Sequence, residues 1–331
     1  MDIIENAREA LYEREYKVVF TESTDERILK AARRLLDEKT CSPILLGNPE
    51  DIVKAADDFN VSLEGIRVYN MYNEDKIEDM VVKYHELVPM YSEKVLRRKA
   101  KKALNYAAML VKIGYADCFA SGVVNPTGDV ILAAQQFIGL KENISLVSSI
   151  GFQISPYFDG KDGEHLIGVA DCAVCAEPTE TELADIAITS AEMYQSVMNE
   201  EALVAMVSYS TLGSGNSPSI EKVKKALEIV KEKRPDLKVE GEFQIDTALV
   251  PKIAERKMKK PSEVAGKANV LVFPDLNSGN IAVKCMQMYG NKGAYGPILQ
   301  GFEKPVTDFS RAATVEDVVG NVTICLMQLV H

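Results

Sequence analysis

Short runs of β-branched and aliphatic residues alternate along this chain with longer stretches of helical period, the pattern of βα units around a mainly parallel sheet. It predicts strands near 17–20, 43–46, 67–69, 117–124, 145–150, 166–174, 203–209, 269–273 and 295–300, with helices between them. The clearest helix covers 219–233. There Ile220, Val223, Leu227 and Val230 recur at three- and four-residue steps, Pro218 suits the first helical position and Ser217 can cap it. The polar stretches DGKDGE at 159–164 and RPDLKVEG at 234–241 read as surface loops, and KPVTDFSR at 304–311 as a polar loop. The basic run RRKAKK at 97–102 reads as the solvated face of a long helix over 92–112, beside apolar Val95, Leu96, Ala100 and Leu104, with an anion patch as the other reading.

A chain of 331 residues exceeds what one hydrophobic core usually supports, so two domains are expected. Its 47% hydrophobic and 26% charged content is that of a soluble globular protein. With Lys+Arg 38 against Asp+Glu 49 the net charge is −11, which disfavours a nucleic-acid partner. The charged N-terminus lacks the apolar core of a signal peptide, and no run approaches the length of a membrane span, so the expected location is cytoplasmic, with no membrane partner. Six cysteines spread over the chain, several within apolar runs, imply reduced thiols rather than a disulfide framework.

Nucleotide fingerprints fail. Gly213 and Gly215 lie between a strand and a helix, but the third glycine of GxGxxG would fall on Pro218, and there is no GxxxxGK[ST]. The loop from Ser210 through Thr211, Gly213 and Ser214 to Ser217 is either a phosphate cradle of backbone N–H groups or a plain connector. Cys172 and Cys175 form a lone CxxC without the further ligands of a zinc site, and Cys172 lies in a strand-like run rather than at an exposed helix start. None of His85, His165 and His331 accompanies a serine-nucleophile motif, which leaves a carboxylate as the better candidate for a general base. Ser310 and Arg311 precede a helix N-terminus, where an anion is favoured. Asp317 fits a capping box with Thr314, so it is either a cap or a base.

The segments VFTESTDERILKAA at 19–32 and PILLGNP at 43–49 resemble the opening of the phosphate acetyltransferase (phosphotransacetylase) family. ADCAV at 170–174, MVSYST at 206–211, NVLVFPDLNSGN at 269–280, GPILQG at 296–301 and KPVTDFSR at 304–311 resemble that family's motifs in order and spacing. The resemblance implies two α/β domains with mainly parallel sheets, like isocitrate/isopropylmalate dehydrogenase, with the active site in the interdomain cleft. Residues 1–144 plus 300–331 would form the first domain, to which the C-terminal helix returns, and 145–299 the second. It implies acyl transfer between coenzyme A and phosphate, with acetyl-CoA as substrate, no bound cofactor and no metal. Propionyl or butyryl transfer, or a catalytically weak acyl-CoA-binding regulator on the same scaffold, are the alternatives. A homodimer acting on small molecules (acyl-CoA, phosphate, acyl phosphate) is expected. Carried over by position, Asp317 would take the CoA thiol proton, Ser310 would orient the reacting groups and Arg311 would hold phosphate. Cys172, Thr127, Ser210, Thr211, Gly213, Ser214, Gly296 and Gln300 would bind substrate or CoA.

Two positions depart from the family pattern. Val88 follows Glu86 and Leu87 where the family usually carries an arginine, and Leu132 lies in the segment after Thr127 and Asp129 where it carries another. An apolar wall there costs phosphate binding but favours extra methylenes on the acyl chain, at about 0.8 kcal/mol per buried CH₂.

Overall fold

The structure is a computed structural model and describes residues 3–155, 165–290 and 294–330. The loop expected at 159–164 and the terminal His331 lie outside the described residues. The chain folds as two compact units, residues 142–301 and residues 2–141 with 302–331. Eleven strands occur among the described residues: β1 Lys17–Phe20, β2 Ser42–Gly47, β3 Arg67–Asn70, β4 Cys118–Ser121, β5 Ser148–Ser155, β6 His165–Ala170, β7 Leu203–Val207, β8 Lys238–Phe243, β9 Val270–Val272, β10 Ala294–Gln300 and β11 Val306–Asp308.

The unit that contains both chain ends is built on a 5-stranded sheet of order β11-β4-β1-β2-β3, parallel at every pairing. Strands covered on both faces need continuous apolar runs, and β1 supplies one in Val18, Val19 and Phe20, all buried. The helix Glu26–Asp37 starts at Asp25, whose carboxylate accepts from the Arg27 N–H at 2.9 Å, and it buries Ile28, Leu29, Ala31, Ala32 and Leu35. After crossing the other unit the chain returns as β11, paired in register with β4 (Asp308 opposite Ser121), and continues into the helix Val315–Leu326, which is buried along most of its length.

In the second unit a 6-stranded sheet has the order β10-β5-β6-β9-β7-β8. Strands β6, β9, β7 and β8 run parallel, whereas β10 and β5 add antiparallel pairings at one side. The helix expected at 219–233 is Pro218–Lys233, with Ser217 as its cap and Ile220, Val223, Leu227 and Val230 buried. Inside the helix Glu180–Met198, the fully buried Asp185 accepts from the Ser145 N–H (2.9 Å), the Ser145 hydroxyl (2.6 Å) and Lys233 Nζ (2.6 Å). That carboxylate anchors the start of this unit to two of its helices. No described helix is long and apolar enough to cross a membrane.

Three local readings are corrected. The stretch 234–241 is not wholly loop, because β8 begins at Lys238. Glu240 and Glu242 disguise the strand, but Glu240 is matched by the Glu263 N–H at 2.9 Å and the Ser262 hydroxyl at 2.5 Å. Gly241 lets β8 lie close to β7, since a Cβ there would stand 2.6 Å from the Met206 carbonyl oxygen. Second, the polar stretch 304–311 contains β11, with Thr307 and Asp308 buried. Third, the basic run 97–102 does not lie within one helix: Glu93–Lys99 ends at Ala100, and Ala103–Lys112 starts from Lys102.

Candidate functional site

In the unit that holds both chain ends, the parallel sheet brings the ends of β1, β4 and β11 side by side. The turn after β4 would be an anion cradle by geometry, yet the protein fills it with its own carboxylate. Glu22 accepts from the backbone N–H groups of Gly122 (2.9 Å), Val123 (2.9 Å), Val124 (2.8 Å) and Asn125 (2.7 Å), and from Asn125 Nδ2 (2.8 Å). Arg27, held by Asp25, ties this turn to the one after β11. Its Nη2 donates to the Val123 carbonyl (3.0 Å), and its Nη1 to the carbonyls of Arg311 (2.7 Å) and Ala313 (3.3 Å).

These clamps fix the three residues of most chemical interest. Ser310 and Arg311 are exposed beyond β11. The Ser310 hydroxyl accepts from the Ala312 N–H at 3.2 Å, and its carbonyl accepts from the Ala313 N–H at 2.8 Å. The Arg311 guanidinium forms no hydrogen bond or ion pair with the described residues, which leaves its donor fork open to a ligand. Asp317 forms the capping box in full: Oδ2 accepts from the Thr314 N–H and hydroxyl, both at 2.8 Å, and the Asp317 N–H donates to Thr314 Oγ1 at 3.2 Å. Both bonds use Oδ2, so Oδ1 of the exposed carboxylate is not engaged by the described residues.

Thr127 opens the helix Thr127–Phe137 and donates its hydroxyl to Asp308 Oδ2 at 2.5 Å. The other oxygen of Asp308 is buried without a partner among the described residues. Burial, opposed by the Thr127 bond and reinforced by the charge of Glu22, pushes the Asp308 carboxyl from 3.8 up to about 6. Because the folded value is raised, the stability linked to the protonated form is complete below pH 3.8 and is lost as pH rises through about 6. Asp308→Asn keeps an acceptor for Thr127 and removes the buried charge. We expect its unfolding free energy, relative to wild type, to increase between pH 4 and 7 towards a ceiling of about 3 kcal/mol. Urea denaturation across that range checks it, and a pH-independent difference contradicts the assignment.

In the other unit, Cys172 follows β6 and is buried, with Sγ 3.6 Å from Ser149 Oγ. Burial pushes the thiol up to about 12, and Cys175 up to about 11, so neither is a ready thiolate at neutral pH. Asp171 accepts from the Ser149 hydroxyl and from the N–H groups of Ala173 (2.9 Å), Val174 (3.2 Å) and Cys175 (2.7 Å). Among the described residues no group of His, Cys, Asp and Glu is arranged to hold a metal.

In the loop at 210–217 several donors are engaged within the protein. Buried Glu242 accepts from the Gly213 N–H at 2.7 Å and the Ser210 hydroxyl at 2.8 Å. The Leu212 N–H donates to the Glu242 carbonyl (3.1 Å), the Gly215 N–H to Ser210 Oγ (3.0 Å) and the Thr211 N–H to Ser214 Oγ (3.0 Å). These bonds tie the front of the loop to the buried Glu242 carboxylate. Gln300 is also an internal brace: both Nε2 donors go to Ser148 Oγ (3.0 Å) and Ser190 Oγ (2.8 Å), leaving no amide donor for a substrate. Gly296, at φ +98°, lets β10 lie against β5, since a Cβ would stand 2.9 Å from the Ile150 carbonyl oxygen.

Sequence reasoning missed Glu22, Arg27 and Asp308 as parts of the site. All three fall in segments that carry the family resemblance, but their partners lie far away in the chain, so no local spacing marks them.

Residues 2–326 match the phosphate acetyl/butaryl transferase family. Over 321 residues, 96% of each chain, the protein is 40% identical to the phosphate acetyltransferase of Bacillus subtilis. It is 38% identical over 335 residues to that of Clostridium acetobutylicum, covering 99% of this chain and 98% of the relative. Its structure matches the EutD phosphotransacetylase from Staphylococcus aureus with a TM-score of 0.90 at 32% identity, over 100% of this chain and 98% of that one. A 4-hydroxythreonine-4-phosphate dehydrogenase from Burkholderia phymatum, 12% identical with a TM-score of 0.53 over 95% of this chain and 97% of that one, shares the fold alone. With the family match running from residue 2 to residue 326 and identities of 38–40% over nearly whole chains, this protein belongs to the phosphate acetyl/butaryl transferase family.

Proposed function

We propose that this protein is a phosphate acetyltransferase, acting in the cytoplasm, that interconverts acetyl-CoA plus phosphate with acetyl phosphate plus CoA. The observation that carries the reading is the 40% identity to a phosphate acetyltransferase over 96% of both chains. The unpaired Arg311 fork beside exposed Ser310 supports it. In the direction of acetyl-CoA synthesis, Asp317 Oδ1 takes the proton of the CoA thiol, and the sulfur attacks the acetyl carbonyl. The S–C bond forms, and the tetrahedral oxyanion collapses with cleavage of the C–O bond to phosphate, which departs with the electron pair. An ordinary thiol of pKa ~8.5 is only partly ionised at neutral pH, so general-base help is worth having. Ser310 and Arg311 would stabilise the oxyanion and the departing phosphate. The proton on Asp317 returns to solvent or phosphate, and no step requires a resident cofactor.

A second acyl preference has one observation in its favour. Leu132, in the segment where the family resemblance implies an arginine, is 63% exposed and apolar, which suits propionyl or butyryl groups. The test is CoA-dependent acyl phosphate formation with acetyl-, propionyl- and butyryl-CoA. Turnover fastest with acetyl is expected, a butyryl maximum would reassign the substrate, and CoA binding without turnover would leave only the regulatory reading. We also propose a homodimer, since the helix Leu276–Gly290 presents Ile281, Met288 and Tyr289 on one exposed face, the last two 78% and 85% accessible. Sedimentation at the monomer mass would refute it.

A further inference from the structure

The chain carries more acid than base, Asp+Glu 49 against Lys+Arg 38, yet residues 251–268 hold six Lys or Arg and only two Glu. Nearby carboxylates do not balance this stretch. Asp246 is taken by Lys257 at 2.9 Å, and Glu263 by Lys238 at 3.2 Å. Lys259, Lys260 and Lys267 are exposed and form no hydrogen bond or ion pair with the described residues. All three line one cavity of about 400 Å³, in whose described lining Glu255 is the single carboxylate.

The cavity is preformed. Its floor is the core of the unit 142–301, where Ala254 and Ala265 are buried and Met258 packs against the same cluster. One wall is the helix Pro251–Lys257 with Met258, Lys259 and Lys260 after it. The other is the segment 261–267, which is pinned to two neighbouring elements. The Ser262 hydroxyl donates to Glu240 Oε2 on β8 at 2.5 Å and accepts from the N–H groups of Val264 (3.1 Å) and Ala265 (2.7 Å). The Gly266 N–H donates to the Thr247 carbonyl at 2.9 Å. Ammonium groups from two fixed segments therefore meet over an apolar floor, and little ordering is needed before a ligand binds.

We propose that this cavity binds a compact organic polyanion, a molecule with two or three carboxylate or phosphate groups on a small carbon body. Three ammonium groups against one carboxylate favour an anion. Because the lysines come from both walls, a ligand charged at two ends engages more of them than one charged at a single point. An inorganic anion would leave Met258, Pro251 and Pro261 uncovered, whereas a carbon body of a few atoms takes that surface out of water. None of these residues belongs to the acyl-transfer site, so the proposed ligand is additional to the substrates of that reaction.

The test is calorimetric titration of the full chain at about 0.15 M salt, where diffuse charge effects are screened. The probes are tricarballylate as a polycarboxylate, fructose 1,6-bisphosphate as a bisphosphate, and inorganic pyrophosphate as a polyanion with no carbon body. Saturable one-to-one binding of at least one organic probe is expected, and the one that binds more tightly decides between carboxylate and phosphate ligands. The triple variant Lys259→Gln/Lys260→Gln/Lys267→Gln should bind that probe roughly tenfold or more weakly. It should keep its melting temperature and its acyl-transfer rate, because no ion pair among the described residues is broken. Lys252→Gln/Arg256→Gln, which removes two charges from the same stretch but outside the cavity lining, should bind as wild type. So should Arg311→Gln, which separates this cavity from the phosphate contact proposed above. Absence of saturable binding by both organic probes, in calorimetry and in thermal-shift titration alike, would overturn the proposal. Undiminished affinity in the triple variant would do the same, as would an equal loss in Lys252→Gln/Arg256→Gln, which reduces the effect to diffuse charge. Pyrophosphate bound as tightly as the organic probes would also overturn it, since the apolar floor would then contribute nothing.

Discussion

Asp317→Asn is expected to lower turnover by on the order of a hundredfold or more while leaving the fold almost untouched. The capping box makes the experiment clean. With its amide oxygen in the place of Oδ2, asparagine can still accept both the Thr314 N–H and the Thr314 hydroxyl, so both contacts survive. What it cannot do is take a proton from a thiol. The converse variant, Thr314→Ala, removes the hydroxyl that the Asp317 N–H uses but keeps the carboxylate. It should cost about 1 kcal/mol of stability and change turnover only a few-fold. If Asp317 served solely as a cap, the pattern would reverse, with near-normal turnover in Asp317→Asn. Steady-state rates and thermal melts of the two variants, measured together, decide between the two roles.

The contrast between those roles shows what could be read in advance and what could not. Signals confined to a few neighbouring residues were legible: Ser217 and Pro218 start a helix as expected, and the Thr314-to-Asp317 spacing is a capping box. The buried parallel strands were legible too, because Val18 to Phe20 in β1 and the whole of β9 are apolar runs. Strand β8 escaped because Glu240 and Glu242 suggest solvent, and their partners come from other segments: Ser262 and Glu263 for one, Ser210 and Gly213 for the other. The same cause hid part of the site. The glycine-rich turn after β7 reads as a phosphate cradle or a plain connector, and Glu242 takes two of its donors from a distant position, as Glu22 does in the turn after β4. Only the two backbone turns are local; the charges that fill them are tertiary. Ser310, Arg311 and Asp317 stood out by their place at a helix start, whereas their roles as reacting groups came through the family resemblance and are the subject of the variants proposed here.

Arg311→Gln is expected to raise the Michaelis constant for phosphate or acyl phosphate by roughly ten- to a hundredfold, the range that one charge-assisted contact of about 1.5–3 kcal/mol covers. The backbone of this residue is held by Arg27, whose Nη1 donates to the Arg311 carbonyl at 2.7 Å, and that bond is independent of the side chain. Substitution should therefore remove the guanidinium without releasing the turn. Since the guanidinium has no internal partner among the described residues, its loss leaves no protein carboxylate unpaired, and the melting temperature should stay near that of wild type. Arg311→Lys should recover only part of the affinity, because a point charge cannot reproduce a two-pronged fork. Val88 and Leu132 supply no positive charge where the family resemblance implies arginines, so on the proposed reading Arg311 should carry a larger share of phosphate recognition than it would beside them. Placing arginine at Leu132 tests that share directly: Leu132→Arg should lower the phosphate constant in wild type and offset part of the loss in Arg311→Gln. An Arg311→Gln enzyme with unaltered phosphate dependence would show that the anion is held elsewhere.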